Sequence, residues 1–480
     1  MKFLLLQVSP GYEFKPEDTK PQKILSYHPP LGLLYLGKML EDGGNKVEVI
    51  DFLAEKYPVE VLKKSLNSTN AVGMTVYSSS YRESLKGGSY TYSYREAAKI
   101  SKYIKGLDSD LPIIIGGPHC TVSPKKSLDE NPSADISVEG DSEFIINDLS
   151  KAIDGKKKIS DISGVHYREK KQIKKGKPAK IIRDLDKIPF PARHLVKKYY
   201  YGKTLKSYYF KQKFTSLISG RGCPFNCKFC TRNALGFKIF RERSVENVVS
   251  EMKEISEKYD SVMIVDDTFL ANEERAEKIL DRLIEIGLDL EIYIQGARVD
   301  TAKKGLYEKM KKAGVKQLYY GLESGNQDVL EFYNKKATIK QIRDAVTLSS
   351  DMGFYTSGTF ILGAPIETKE HIERTIKFAC SLPLDVVIFT VLTYKYGSEL
   401  WNYAVKHGKI EQSDGYTIVA DSKIGLGNFT REELEQYYNK AMNRFYLRPS
   451  YITRQILKLF KEEDFSTMKA RINRLSGFVF

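Results

Sequence analysis

The chain has 480 residues, of which 41% are hydrophobic and 29% charged, and its formal net charge is +15. This length exceeds one ordinary hydrophobic core, so we expect two or three domains, and the composition excludes disordered and fibrous proteins. No apolar run approaches the roughly 18 residues of a membrane-spanning helix. The N-terminus lacks a signal-peptide cleavage site and five cysteines make no disulfide framework, so we expect a cytoplasmic protein.

The positive charge raises the question of a nucleic-acid partner. Lysines are spread along the chain and are densest in a predicted surface hairpin at residues 166–182. Such charge runs usually belong to solvated faces. We therefore do not expect a nucleic-acid partner, although an anionic substrate or RNA stays an open alternative.

Residues 1–155 alternate apolar with amphipathic segments, which predicts an open doubly wound α/β domain. The expected strands are FLLLQVS, KVEVIDF, AVGMTVY, PIIIGG and ADISVEG, and the helices between them include LGLLYLGKMLEDGG and YREAAKISKYIKGL. Near-continuous apolar strands separated by helices indicate a parallel sheet that is covered on both faces. Such sheets bind ligands beyond the carboxyl ends of their strands.

The rest of the chain divides into three parts. Residues 156–205 are rich in lysine and proline, which predicts a basic hairpin and a linker. Six further βα units over residues 206–400 predict a partial or complete (β/α)6 barrel of the TIM type, whose chemistry would lie at the carboxyl ends of the strands. Residues 401–480 predict a helical C-terminal domain.

Three of the five cysteines lie in SGRGCPFNCKFC, directly after the first barrel strand. Cys223, Cys227 and Cys230 have the spacing C-x3-C-x2-C. A structural zinc ion would need a fourth ligand, and the nearest histidines, His194 and His371, are distant in sequence. Thiolates also bind iron–sulfur clusters. Three cysteines on a four-iron cluster leave one iron open for a small molecule, which indicates catalysis.

CPFNCKFC, with Phe229 before its last cysteine, resembles the motif of the radical S-adenosylmethionine (SAM) enzymes. The resemblance implies a 4Fe-4S cluster whose open iron chelates the amino and carboxylate groups of SAM. One electron, from a low-potential donor of the flavodoxin or ferredoxin type, then cleaves SAM to methionine and a 5′-deoxyadenosyl radical. The cofactor supplies the radical, and the protein supplies placement and water exclusion.

The resemblance extends over roughly residues 210–400 and implies further SAM contacts. YYGLESG resembles the segment that contacts the ribose and methionine parts of SAM, through Glu323 and Ser324. GTFILGAPIET resembles the fifth strand, where Gly363 lets the backbone approach the adenine. Arg298 would pair with a carboxylate. One of Asp266 and Asp267 is expected to be a site residue, and we assign Asp266. The alternatives are a plain turn at Gly363 and a surface ion pair at Arg298.

The two-domain order resembles the cobalamin-dependent radical SAM enzymes, in which a flavodoxin-like domain precedes the barrel. The matching stretches are HPPLGLLYLGKMLEDGGNKVEVID, VGMTVYSSS, IIIGGPHCT and ADISVEGDSEF. The resemblance implies that they hold the corrin ring and nucleotide tail of cobalamin. The expected contacts are Ser78, Gly116, Gly117, Glu139 and Gly140.

The chain differs from many cobalamin-binding domains in the lower ligand of cobalt. Many cobalamin domains carry D-x-H-x-x-G after the first strand, and this chain has only His28 there. That departure agrees with the radical SAM subclass, but it removes the strongest cobalamin marker. His119 is expected to be structural, and Cys120 and Cys380 to be isolated thiols. The stretch 77–99 is either a cavity lining or a polar surface loop.

The resemblance implies methylation of an unactivated sp3 carbon through methylcobalamin and a 5′-deoxyadenosyl radical. A peptide or protein is the preferred acceptor. The alternatives are cyclisation or rearrangement without net methylation, and methylation of a lipid or another small molecule. A methylthiotransferase would need a second cysteine trio in the preceding domain, which holds only Cys120. An iron–sulfur electron carrier would leave the SAM-like strands unexplained.

Overall fold

The computed structural model describes residues 1–22, 28–77, 93–170, 172–202, 213–235, 239–412 and 416–460. They form two compact units, one with the described residues up to Tyr201 and one with those from Gly202 onward. Among these ranges no helix has both the length and the apolar character needed to cross a membrane.

The first unit is an α/β domain built on one sheet. Its strands are β1 (Lys2–Gln7), β2 (Lys46–Asp51), β3 (Ala71–Thr75), β4 (Ile113–Gly116), β5 (Ile136–Val138), β6 (Val165–Glu169) and β7 (Gln172–Lys175). Its helices are α1 (Leu31–Asp42), α2 (Pro58–Leu66), α3 (Ser93–Leu107), α4 (Pro118–Val122), α5 (Pro124–Glu130) and α6 (Ile146–Ile153).

The strand order of this sheet is β2-β1-β3-β4-β5-β6-β7, and its first five strands are parallel. This is the flavodoxin-like order, in which the chain reverses its direction across the sheet between β1 and β3 and leaves a crevice at their carboxyl ends. The central strand β1 is apolar and almost wholly buried, as expected for a strand covered on both faces. The predicted basic hairpin forms β6 and β7, which extend the sheet in antiparallel fashion.

The second unit contains a six-stranded parallel sheet and two small antiparallel pairs. Its strands are β8 (Phe214–Leu217), β9 (Gly220–Arg221), β10 (Arg241–Glu242), β11 (Ser261–Ile264), β12 (Glu291–Ala297), β13 (Val315–Glu323), β14 (Tyr355–Leu362), β15 (Val386–Val391), β16 (Thr393–Lys395) and β17 (Thr417–Val419). Its helices are α7 (Arg232–Leu235), α8 (Val245–Ser256), α9 (Glu273–Ile286), α10 (Lys304–Lys312), α11 (Gln327–Phe332), α12 (Ile339–Asp351), α13 (Lys369–Ser381), α14 (Glu399–Lys406), α15 (Arg431–Tyr446) and α16 (Pro449–Phe460).

The six strands β8, β11, β12, β13, β14 and β15 pair in sequence order, so this sheet is a partial (β/α)6 barrel. Alternate strand residues such as Ile294, Leu318 and Phe360 belong to one core together with helix residues such as Leu283 and Ile342. Because side chains alternate between the faces of a strand, the intervening residues lie on the inner face. The α/β fold class predicted from the sequence is therefore confirmed.

Helix α15 closes the free edge of this sheet at β15. The Val387 N–H donates to Tyr446 Oη at 3.1 Å, and Tyr446 Oη donates to the Val387 carbonyl at 2.7 Å. Helix α16 is fixed nearby through Lys458 Nζ, which lies 2.5 Å from the fully buried carboxylate of Asp385. Because the Val387 N–H and C=O on this edge strand are already hydrogen-bonded, they are not available to pair with another strand.

Candidate active site

The three-cysteine loop begins two residues beyond the end of β8 and is shaped by its own backbone. Cys223, Cys227 and Cys230 are all partly buried and none is in a disulfide. The Cys230 N–H donates to the Cys227 carbonyl at 3.0 Å. Gly222 has a φ of +87°, and a Cβ there would lie 2.3 Å from the Ile239 carbonyl oxygen. Only glycine fits at this entry to the loop.

The thiols suit an iron–sulfur cluster by their chemistry. Burial raises the pKa of the Cys223 thiol and raises that of Cys227 to about 11, because burial disfavours the charged thiolate unless a positive charge such as a metal stabilises it. Within the described ranges no three His, Cys, Asp or Glu side chains converge on a single metal ion. A cubic cluster does not require such convergence, because each thiolate binds a different iron. Three soft donors on one short loop therefore fit the cluster.

The segment that follows α11 holds the cysteine loop in place. The Lys228 N–H donates to the Tyr333 carbonyl at 3.0 Å, and Asn334 Nδ2 donates to the Asn226 carbonyl at 2.9 Å. Phe229, predicted from the motif, packs edge-on against the Tyr333 ring with 5.1 Å between centroids. These contacts hold the loop in place on both sides of Cys227.

Glu323 lies beside the loop in a buried ion pair. It is 6% exposed, and its carboxylate accepts a hydrogen bond of 2.7 Å from Lys335 Nζ. Burial alone would lower the pKa of Lys335, but the charges of Glu323 and Cys227 outweigh it and the pKa is raised. Glu323 also has a φ of +64°, a conformation that costs energy for any residue with a Cβ and that is concentrated at functional sites.

Arg298 joins the same group of residues from the end of β12. Its guanidinium carbon lies 3.5 Å from the centre of the Phe225 ring, inside the cysteine loop. The side chain is 8% exposed and binds Asp300 through Nε and Nη2 at 2.9 and 2.7 Å. The carboxylate that Arg298 pairs with in the structure is thus one of the protein's own.

Asp266 lies at the base of the cysteine loop. One of its oxygens accepts from the Ser219 N–H at 2.6 Å and the other from Ser219 Oγ at 2.5 Å. Burial raises the pKa of Asp266 to about 6, against the effect of these hydrogen bonds. Arg275 Nη2 donates to the Ser219 carbonyl at 2.8 Å, so both residues position the start of the loop. The neighbouring Asp267 pairs with Arg232 at 2.8 Å.

The structure places Ser324 against α13 and Gly363 against α15. Ser324 is fully buried, with its Oγ 3.3 Å from Thr375 Oγ1 of α13. Gly363 has a φ of +96°, and a Cβ there would lie 2.8 Å from Leu434 of α15. The Gly363 N–H donates to Glu367 Oε2 at 2.7 Å, as does that of Ala364 at 2.8 Å. Glycine is thus required at residue 363 by the packing of α15.

The first unit presents a crevice at the carboxyl ends of β1, β3 and β4. Gln7 Nε2 donates to Ser9 Oγ and to Tyr77 Oη, at 3.1 Å each. Among the described residues, a Cβ on Gly116 would meet no atom closer than 4.0 Å, so these residues leave the backbone edge open to a ligand. Gly117 has a φ of +97°, and its Cβ would lie 3.1 Å from the Val76 carbonyl oxygen. This open backbone edge fits the tail of a nucleotide-bearing cofactor.

Three other predicted residues of this unit are described, and one is not. Glu139 follows β5, and its carboxylate lies 3.7 Å from His166 Nε2, which lowers its pKa. The Gly140 N–H donates to Thr121 Oγ1 at 3.1 Å. His119 stacks on Tyr94 with 4.8 Å between centroids, and its Nε2 lies 3.0 Å from Glu130, which supports a structural role. Ser78 and most of the stretch 77–99 lie outside the described residues.

The sequence places His28 after β1 outside any D-x-H-x-x-G motif. Burial lowers the pKa of His28 to about 4, so its imidazole is neutral near pH 7. Sequence reasoning missed three residues near the cysteine loop or the end of β14, namely Tyr333, Lys335 and Glu367. Only Glu367 lies in a motif identified from the sequence, GTFILGAPIET. No motif or regular spacing in the sequence predicts that Lys335 pairs with Glu323.

Comparison with known proteins agrees with this geometry. The family model of the radical SAM superfamily matches residues 217–379, and that of the B12 binding domain matches residues 22–149. The chain is 32% identical over 436 residues to the uncharacterized methyltransferase PH0819 of Pyrococcus horikoshii, covering 90% of each protein.

More distant relatives include a methyltransferase and a cyclase. Cytidylyl-2-hydroxyethylphosphonate methyltransferase of Streptomyces wedmorensis is 26% identical, over 83% of this chain and 85% of that protein. Anaerobic magnesium-protoporphyrin IX monomethyl ester cyclase of Rubrivivax gelatinosus is 24% identical, over 88% of this chain and 75% of that protein. The structure of the methyltransferase TsrM from Kitasatospora setae, with cobalamin and a [4Fe-4S] cluster bound, superposes with a TM-score of 0.71. It covers 100% of this chain and 99% of its own at 15% identity, which shows a shared fold.

The chain belongs to the cobalamin-dependent radical SAM enzymes. It is a member of their methyltransferase class, and its cofactors are a 4Fe-4S cluster, SAM and cobalamin.

Proposed function

We propose that this enzyme methylates an unactivated sp3 carbon of a peptide or protein. The observation that carries the proposal is the buried pair of Glu323 and Lys335, 2.7 Å apart and in electrostatic contact with Cys227. Such a pair matches a zwitterion, the form of the methionine part of SAM. The flavodoxin-like sheet in the same chain supports a second, cobalamin-dependent step.

The ion pair beside the loop is assigned to the polar end of SAM. Lys335 Nζ is the cation that binds the SAM carboxylate, and Glu323 accepts from the ammonium or the ribose hydroxyls. Ser324 anchors this strand end to α13, and Gly363 shapes the turn proposed to face the adenine. Each ionic contact is strong because the groups are withdrawn from water before SAM enters.

Three residues have positioning roles. Asp266 holds the first residues of the cysteine loop through Ser219, and Arg298 covers Phe225. Phe229 packs on Tyr333 and excludes water from that side of the loop. Cys223, Cys227 and Cys230 are the cluster ligands.

In the first unit, the nucleotide tail of cobalamin is assigned to the open backbone edge at Gly116 and Gly117. Glu139 and Gly140 border the same carboxyl ends, and Ser78 is proposed as a further hydrogen-bonding partner. When bound, the cluster and SAM supply a 5′-deoxyadenosyl radical, and cobalamin supplies the methyl group. Radical chemistry is needed because the acceptor carbon has no acidic proton to lose.

The cluster needs an electron before SAM can be cleaved, so a flavodoxin- or ferredoxin-type protein is the proposed donor. The test supplies reduced, cluster-loaded enzyme with cobalamin, SAM bearing a trideuterated methyl group, and peptides digested from a bacterial proteome. Mass spectrometry is expected to detect peptides that carry the labelled methyl group on carbon. A labelled lipid or small molecule with no labelled peptide would contradict the peptide assignment.

The cyclase among the relatives keeps one alternative function open. Cyclisation or rearrangement consumes SAM to deoxyadenosine without producing S-adenosylhomocysteine. A substrate that loses hydrogen and gains no label in the same experiment would favour this alternative over methylation.

A further inference from the structure

The inner face of the partial barrel is polar but uncharged. Between Glu291 at the amino end of β12 and Glu323 at the carboxyl end of β13, the described strand positions on this face include no Asp, Glu, Lys, Arg or His. The polar residues there include Gln295, Gln317, Tyr319, Ser357, Thr359 and Thr390. A ligand on this face therefore meets amides and hydroxyls.

On this face, the side chains in the middle of the strands are buried, and those nearer the carboxyl ends are accessible. Gln317 Nε2 donates to Ser357 Oγ at 3.0 Å, and these residues are only 7% and 1% exposed. Further along the strands, toward their carboxyl ends, Gln295 and Thr390 are exposed, and Ile388 is 38% exposed. The accessible part is thus toward the carboxyl ends, where barrels of this type place their chemistry.

A bulge at the end of β12 presents Gln295 to this face. Ile294 pairs with Leu318 and Ala297 with Tyr320, so Gln295 and Gly296 together lie opposite Tyr319. Gly296 has a φ of +75°, and a Cβ there would lie 2.7 Å from the Asp267 carbonyl oxygen. Only glycine permits this irregularity, and bulges of this kind redirect side chains beside active sites.

We propose that the inner face binds an uncharged amide of the substrate next to the reacting carbon, with Gln295 and Tyr319 as the specificity-determining residues. This inference rests on the proposed function, since it names the part of the substrate that enters the barrel. The Gln295 side chain both donates and accepts hydrogen bonds, and so does the Tyr319 hydroxyl, which complements the N–H and C=O of an amide.

The composition of the face argues against the other substrate classes. At the described strand positions of this face a carboxylate or phosphate would lose its hydration without meeting a cation, which costs several kcal/mol. A hydrocarbon would strip water from the Gln295 amide and return no hydrogen bond, which costs about 1–3 kcal/mol. Ile388 packs against the aliphatic part that flanks an amide.

The test measures binding without turnover. Cluster-loaded protein with SAM and cobalamin, but no reductant, is titrated with N-acetyl-leucine methylamide and with N-acetyl-leucine carboxylate by saturation-transfer NMR. We expect the methylamide to bind at least about tenfold more tightly than the carboxylate. Gln295→Leu and Tyr319→Phe should each weaken methylamide binding roughly 3- to 10-fold. Lys316→Gln, an exposed position on β13, is the control and should not change it.

Equal or tighter binding of the carboxylate would overturn the inference, and so would unchanged methylamide binding in both variants. SAM affinity, measured in parallel by equilibrium dialysis, should be unchanged in Gln295→Leu, and its loss would mean that the residue serves SAM instead. Because no electron is supplied, the result does not depend on catalysis. Absence of labelled product in the proteome experiment, with selective amide binding intact, would refute the proposed reaction alone.

Discussion

Lys335 is the residue on which the SAM assignment depends most. It is the only partner that the structure gives for the buried Glu323 carboxylate among the described ion pairs, and removing it leaves that charge unpaired. We predict that Lys335→Met weakens SAM binding by about tenfold or more, as expected for the loss of a charge-assisted hydrogen bond.

Equilibrium dialysis with the cluster-loaded protein measures this effect. Lys336→Met is the matched control, because the adjacent residue is exposed and carries the same charge. Equal losses of affinity in both variants would indicate a general electrostatic effect and would refute the specific contact.

The single residue Glu367 is expected to make the stability of the fold depend on pH. Burial raises its pKa from the usual 4.5 to about 7, although the Gly363 and Ala364 N–H groups oppose this. Because the folded protein holds this proton more tightly than the unfolded chain, the stability contributed by Glu367 decreases as pH rises from 4.5 to about 7. The decrease amounts to at most roughly 3 kcal/mol.

Glu367→Gln keeps an acceptor for both N–H groups and removes the titration. We expect the stability of Glu367→Gln relative to the parent protein to increase between pH 5 and pH 8. The increase should fall mainly between the unfolded pKa of 4.5 and the folded pKa of about 7. Urea unfolding at both pH values measures the difference, and a pH-independent difference would contradict the assigned pKa.

At the scale of elements, helix α15 stabilises the barrel by satisfying the free edge of β15. Tyr446→Phe removes the hydroxyl that bonds both the N–H and the C=O of Val387. We predict a loss of about 1–3 kcal/mol in the free energy of unfolding, because both backbone groups stay buried. Denaturant unfolding measures it. Tyr403→Phe, at a 53% exposed position, should change stability by less than about 0.5 kcal/mol.

The main strands and helices could be predicted from the sequence, but several of the strand pairings could not. The alternation of apolar and amphipathic segments predicted the parallel strands of both units, because burial on two faces leaves a strong local pattern. The two-residue strands β9 and β10 leave no such pattern. The attachment of β6 and β7 to the first sheet depends on a long-range pairing that a basic hairpin does not reveal.

The same limit holds for the site residues. The cysteine motif identified the cluster loop, because its spacing is a local property of the sequence. Lys335 reaches Glu323 only because α11 turns the chain back, and the role of Asp266 depends on Ser219 of another βα unit. The adenine contact of Gly363 stays a prediction; the structure adds a second reason for glycine there, because a Cβ would lie 2.8 Å from Leu434, far along the chain.

At the scale of the whole molecule, the cluster loop and the proposed cobalamin crevice lie on different units. We therefore predict that Cys227→Ala abolishes iron incorporation and deoxyadenosine formation while corrinoid binding persists. Iron analysis and the absorbance of bound corrinoid measure the two properties separately. Cys380→Ala, outside the loop, should retain both. Deoxyadenosine formation by Cys227→Ala would contradict the ligand assignment.

Cobalamin-dependent methyl transfer is tested by supplying the reduced, iron-reconstituted protein with SAM and hydroxocobalamin under anaerobic conditions. We predict bound corrinoid together with both deoxyadenosine and S-adenosylhomocysteine, since one SAM supplies the radical and another the methyl group. Deoxyadenosine alone, with no corrinoid retained, would contradict it: the radical chemistry would stand, and the methyl transfer would not.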